Sequence, residues 1–348
     1  MFDMFTYFIY LNLLAIMVYF TYKPVMDKNI SSVNFDLTKN PKLTFNHYVA
    51  LLIIAFVVGF RYGVGTDWEG YKSIYEYISY GIKPFSIGFN IPTYAVEWGY
   101  YIINQWVADL GGNSEIMFFL VALISWYFIF KSVPLVLLPL FLFFLFVDEI
   151  FFWSMNGVRQ FVAIGLFLYS IKFIINRNLI VYLLLIGLAA LFHTTALMLI
   201  PLYFVPYQKI YNQKYWLIAF VVSYFFADLQ FFVYGIEQLF RVVADYLPIL
   251  SIYLGFFERG QYVAQELNVG LGYYFKLLIF LFVLYYSKDV VKKYPQTQIY
   301  FVLFFVGSII FYLFYMYQPI GRINAYFLIM RSVLMALIIY HLWKSKKH

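Results

Sequence analysis

Apolar runs at about 2–22, 45–60, 114–130, 133–152, 157–175, 215–234, 271–287, 298–317 and 323–342 recur along a chain of 348 residues, with hydrophilic gaps between them. About 20 apolar residues are stable in hydrocarbon only as a helix, because no water is there to satisfy the backbone N–H and C=O groups. The runs therefore predict about nine full transmembrane helices in an all-α polytopic membrane protein. Charged residues make up 12% of the chain, against roughly 25% in soluble domains, so little is left for a water-soluble module. One integral membrane domain, residues 1–348, is expected. The absence of cysteine removes disulfides, thiol catalysis and cysteine-ligated metals. Phe2 to Tyr22 lacks a basic leading region and a small-residue cleavage site, so it reads as a retained span.

In so apolar a chain the net charge of +7 reports membrane orientation first, and no nucleic-acid partner is expected. Fourteen of the seventeen lysines, all but Lys72, Lys83 and Lys276, fall in five gaps or at the span ends facing them. The positive-inside rule places those gaps in the cytoplasm, with the N-terminus outside and the C-terminus inside. Parity then decides two stretches. Residues 179–207 begin and end inside, and their 29 residues give two arms of about fourteen, each roughly 21 Å long. A short helical hairpin is expected there, with "FHTTA" (192–196) at its turn, for about eleven crossings in all. Residues 61–113 begin and end outside, so 97–112 is expected to lie on the outer surface as an interfacial amphipathic helix. Trp98, Ile102 and Trp106 recur every four residues, while Glu97, Asn104 and Asp109 supply polarity.

Arginine runs the other way. Arg61, Arg159, Arg241, Arg259, Arg322 and Arg331 lie outside or within spans, and Arg177 alone sits in an inside loop. A guanidinium offers a planar fork that matches a phosphate. Arg61, Arg159 and Arg322 fall at the outer mouths of three different helices and are candidate diphosphate ligands, the competing role being an anchor paired with a carboxylate. Asp67, Glu97, Asp148, Glu149 and His193 share that side, which suggests a polar, outward-facing cavity. In "FRYGVGTDWEGY" (60–71) the glycines permit a tight turn that projects Asp67 into the cavity; an ion pair to Arg61 is its other reading. "SMNGVRQ" (154–160) sets Asn156 and Gln160 beside Arg159. With Tyr71 they are candidate sugar-binding residues, although Asn156 equally suits a helix N-cap. His193, beside two threonines at the hairpin turn, is either a proton acceptor or a satisfied structural histidine. The chain has no HExxH, GxGxxG, P-loop or close histidine pair, and neither metal nor cofactor is expected.

"FRYGVGTDWEGY", the Glu97–Tyr100 segment "EWGY", "NGVRQFVAIGLFLYS" (156–170), "FHTTAL" (192–197) and "GRINAYF" (321–327) together resemble, in order and spacing, the EpsG family of bacterial polysaccharide biosynthesis proteins, grouped with Wzy-type polymerases. Trp68 stands where that pattern has a tyrosine. The resemblance covers about residues 60–330. It implies a GT-C-like membrane glycosyltransferase at the outer face of the bacterial cytoplasmic (inner) membrane. There it would join oligosaccharide repeat units carried on undecaprenyl diphosphate, by moving the growing chain to the sugar hydroxyl of an incoming unit. Its partners would be the lipid-linked donor and acceptor, membrane lipids and a chain-length regulator. No metal is implied, and the base is His193, Asp67 or Glu97. A flippase for the same lipid-linked oligosaccharide and an O-antigen ligase-like transferase are the competing readings.

Overall fold

The computed structural model describes residues 4–27, 35–82, 96–148, 150–210, 212–226, 270–314 and 318–345, with isolated positions at 235, 238, 241 and 242. Glu149, Arg259 and most of the far end of the 215–234 run lie outside the described residues. Those described form helices and no strand. Contacts divide the chain into two compact units, one of residues 1–205 and 335–340, the other of 206–334 and 341–348.

The first unit contains α1 (Met4–Asp27), α2 (Phe45–Gly59), α3 (Trp68–Ser79), α4 (Trp98–Asp109), α5 (Ser114–Ser132), α6 (Leu138–Val147), α7 (Ile150–Asn156), α8 (Val158–Ile175) and α9 (Leu179–Ala190). Local chemistry starts several of them. The His47 ring reaches back to the Thr44 backbone N–H (3.2 Å) at the start of α2. Asn113 and Asn178 accept from the N–H groups of Ile116 and Val181 to open α5 and α9, each satisfying a donor that a helix end otherwise leaves bare. At the centre lies α8, buried on nearly every face and packed against α5 and α9. A helix apolar all round is what such a position requires.

Five described helices are long and apolar enough to cross a bilayer: Phe8–Met26, Ser114–Ser132, Val158–Ile175, Pro295–Leu313 and Ile320–Ser345. The bent pair α6 and α7 makes a sixth if counted as one span. The chain is thus multi-pass, with fewer qualifying spans among the described residues than the nine helices and eleven crossings expected from the apolar runs. Two of the differences have local causes. The chain turns at Arg61, leaving α2 only 15 residues long. A turn at Pro134 delays the start of α6 to Leu138. Extended backbone at Asp148 then ends α6, and α7 leaves at 71° to it.

The 179–207 stretch is a hairpin of short arms, as expected, with one difference: its second arm, Thr194–Phe204, is a 3-10 helix of 11 residues containing Pro201. At about 2.0 Å per residue this winding reaches roughly 22 Å, further than an α-helix of equal length. The Tyr182 hydroxyl ties the arms together by donating to the Leu199 carbonyl (2.6 Å). On α4, Trp98, Ile102 and Trp106 are each more than half exposed, while Tyr100, Asn104 and Val107 are buried. The amphipathic helix anticipated at 97–112 is present.

The second unit is built on aromatic packing. Phe220 stacks on Phe280 (3.7 Å between centroids), and the Tyr312 hydroxyl donates to the Tyr273 carbonyl (3.0 Å). Gln213 donates to Ser287 Oγ (2.9 Å), joining Gln213–Phe226 to Leu271–Lys293.

Candidate active site

Arg61, just past the end of α2, turns its guanidinium back into the protein. Its Nη1 donates to the Val58 carbonyl (2.5 Å), Nε to Val64 (3.0 Å) and Nη2 to Met155 (2.6 Å), and the group lies over the Phe118 ring (4.8 Å). Burial lowers its pKa to about 10 against the opposing influence of nearby tyrosines, so it stays charged at neutral pH. The arginine thereby joins the end of α2 to the end of α7. Gly65 presses on the same Met155 carbonyl, which lies 2.7 Å from where a Cβ would sit, and its φ of +102° is open only to glycine at low cost. Asn156 Oδ1 then accepts from Thr66 Oγ1 (2.7 Å) and from the Asp67 backbone N–H (3.1 Å). The arginine, Gly65 and the threonine of the first motif are thus explained locally: they hold the loop on the α7–α8 break.

That loop delivers α3, a helix the apolar-run analysis does not anticipate. It buries Trp68, Tyr71, Ile74, Tyr75 and Ile78 and packs on α4 and α5. Trp68, the departure from the family pattern, is a core ring stacked on Phe118 (6.5 Å). Asp67 precedes α3, partly exposed. No ion pair joins it to Arg61, whose donors lie on carbonyls. Asn156 does not cap α8 either; Gly157 holds that position. Gln160 is buried within α8.

Three motifs far apart in sequence meet at Glu97. Its Oε2 pairs with Nη1 of Arg159, in the first turn of α8. Its Oε1 lies 3.3 Å from His193 Nδ1, an ion-pair distance rather than an aligned hydrogen bond, and 3.4 Å from the Thr194 N–H. The carboxylate precedes α4, and Gly99 brings that helix onto the hairpin turn. The Gly99 N–H donates to the Leu191 carbonyl (2.7 Å), and any Cβ at Gly99 would stand 2.8 Å from that oxygen. Burial favours the neutral acid at Glu97, but the His193 ring and the Arg159 charge outweigh it and hold the carboxyl below its usual range. The Arg159 guanidinium lies over the rings of Tyr71 (5.7 Å) and Tyr100 (5.9 Å), and its Nε is buried without a hydrogen-bond partner. A cation with a donor to spare, a carboxylate and an imidazole converge here.

The structure thus brings Glu97, Arg159, His193 and Tyr71 into one cluster and joins Thr66, Asp67 and Asn156 at the adjoining loop. Tyr100, which the sequence analysis left without a role, belongs to the cluster; its place one helical turn after Glu97 was the available signal. Arg322 belongs to the second unit, exposed in Gln318–Leu328 one turn inside the helix rather than at its mouth. Nearby, Asn324 donates to the Gly307 carbonyl (2.8 Å), and Arg331 is buried in Met330–Ser345.

A family model described as the EpsG family matches residues 44–348. No curated protein and no solved structure matches the chain.

Proposed function

The chain belongs to the EpsG family, and from that membership and the cluster geometry we propose that it polymerises a bacterial polysaccharide. It joins oligosaccharide repeat units carried on undecaprenyl diphosphate at the outer face of the cytoplasmic membrane, within one integral domain of GT-C-like architecture. The observation that carries the proposal is the convergence of Glu97 on both Arg159 and His193.

Glu97 faces His193 Nδ1, orients the ring and leaves Nε2 to accept a proton. The acceptor hydroxyl oxygen bonds to the donor's anomeric carbon while its proton passes to Nε2. The bond from that carbon to the diphosphate oxygen breaks, and the electron pair leaves with the lipid diphosphate. Arg159 keeps Nε for the charge that develops there. Arg61 acts by positioning, since its donors already lie on carbonyls. Asp67, Asn156 and Tyr71 orient the sugars, Gln160 being buried within α8, and Arg322 is a further arginine to be tested for diphosphate binding.

Purified chain incubated with lipid-linked repeat unit is expected to give a ladder of longer lipid-linked products. Translocation across vesicles without lengthening would make it a flippase, and transfer only to a different lipid acceptor would make it a ligase.

A further inference from the structure

A second cluster of charge lies at the opposite end of α2 and α5. Gly59 meets Phe119 at one end of this pair, and Lys131 meets the chain before α2 at the other, so the helices run antiparallel. The Lys131 ammonium donates to the Pro41 carbonyl (2.7 Å). Lys172, 1% exposed, donates to Asn40 Oδ1 (3.0 Å) and the Lys131 carbonyl (2.8 Å). These acceptors are neutral, and no described carboxylate forms an ion pair with either lysine. Lys42, next to Pro41, is exposed.

Next to this positive end, a groove of about 410 Å³ runs between α2 and α5, lined by Tyr48, Leu51, Leu52, Leu123, Tyr127 and Phe128 among others, with no polar surface. One ring links the groove lining to the lysine end. Phe128 packs on Tyr169 (5.5 Å), and Lys172 lies over that same ring (4.2 Å).

We propose that this is a site for an anionic phospholipid of the bilayer, with an acyl chain in the groove and the phosphate at Lys131, beside the exposed Lys42. Charge complementarity selects the occupant. Unpaired lysines at the end of an apolar groove favour a lipid with net negative charge over a zwitterionic one, and lysine-rich ends face the leaflet where anionic lipids act on membrane proteins. The substrate lipid is a poorer fit. Tyr48 lies eleven positions before α2 ends at Gly59, about 16 Å along the helix, and it is the Gly59 end that Arg61 joins to Met155, just before Arg159. The diphosphate proposed at Arg159 therefore belongs to the opposite end of α2 from Lys131.

The test is lipid retention by the full chain in native mass spectrometry. The probes are phosphatidylglycerol, phosphatidylcholine with the same acyl chains, and polyprenyl phosphate. Phosphatidylglycerol is expected to be retained in preference to phosphatidylcholine, by about fivefold for each lysine that acts. Lys131→Gln should lower phosphatidylglycerol retention about fivefold, and Leu52→Trp, which fills the groove without changing charge, should also lower it. Equal retention of the two phospholipids, parental retention of phosphatidylglycerol by either variant, or its displacement by polyprenyl phosphate would overturn the proposal.

Discussion

Arg61 and Arg159 are the same residue type under different constraints, and their lysine variants should separate those roles. Arg61 fixes three carbonyls with three nitrogens, a geometry one ammonium cannot reproduce. Arg61→Lys is expected to lower stability in detergent by roughly 1–3 kcal/mol through lost charged hydrogen bonds. Arg159→Lys should keep most of the melting temperature and lose transfer by on the order of 10²–10³, as when an oxyanion donor is removed. Parallel thermal melts and transfer rates check both. Glu97 gives a pH signature. Its folded carboxyl titrates below the usual range, so its stabilising effect is complete above the unfolded value of about 4.3 and fades as pH falls through the lower folded value. Acid melting curves for the parent should therefore show a decline that is shallower in Glu97→Gln. Equal slopes would show that the carboxylate contributes no such linkage.

At the scale of elements, glycines set the approach of one backbone to another. Gly99→Ala inserts a methyl 2.8 Å from the Leu191 carbonyl, which should push α4 from the hairpin turn and separate Glu97 from His193. Transfer is expected to fall at least tenfold while the protein still inserts, and parental activity in the alanine variant would show that this contact does not position the pair. The long helices α5 and α8 were legible because their apolar runs are long enough to cross a bilayer. The hairpin was legible by parity alone, although its 3-10 second arm left no separate signal in an apolar run. Helix α3 was missed because "WEGYKSIYEYIS" mixes glycine, lysine and acid. Yet its buried positions 68, 71, 74, 75 and 78 follow helical spacing and were available to a shorter window. The individual site candidates were visible as rare polar types in an apolar chain. Their pairing was not, because Arg159 lies 62 residues from Glu97 and only tertiary packing joins them. The turn at Arg61 and the break at Asp148 shortened runs that read as full spans, since one apolar stretch can be a straight helix or two bent ones.

For the molecule as a whole, the lysine distribution predicts that α4 and the start of α5 face outward. Cysteine introduced at Asn113, in a chain that has none of its own, should react with an impermeant thiol reagent added to intact cells. Labelling only after permeabilisation would invert the topology and remove the site from the outer face. The central claim is that the cluster formed by Glu97, Arg159 and His193 performs glycosyl transfer, with His193 taking the proton. Its most direct test is single-turnover transfer from a lipid-diphosphate-linked donor by parent, His193→Gln and Asp67→Asn, with donor binding followed separately. His193→Gln is expected to bind donor like the parent and lose 10²–10⁴-fold in rate, the usual worth of a general base, while Asp67→Asn loses mainly acceptor affinity. Parental rates in His193→Gln, together with an Asp67→Asn variant that binds donor and acceptor but does not turn over, would contradict the account and make Asp67 the base.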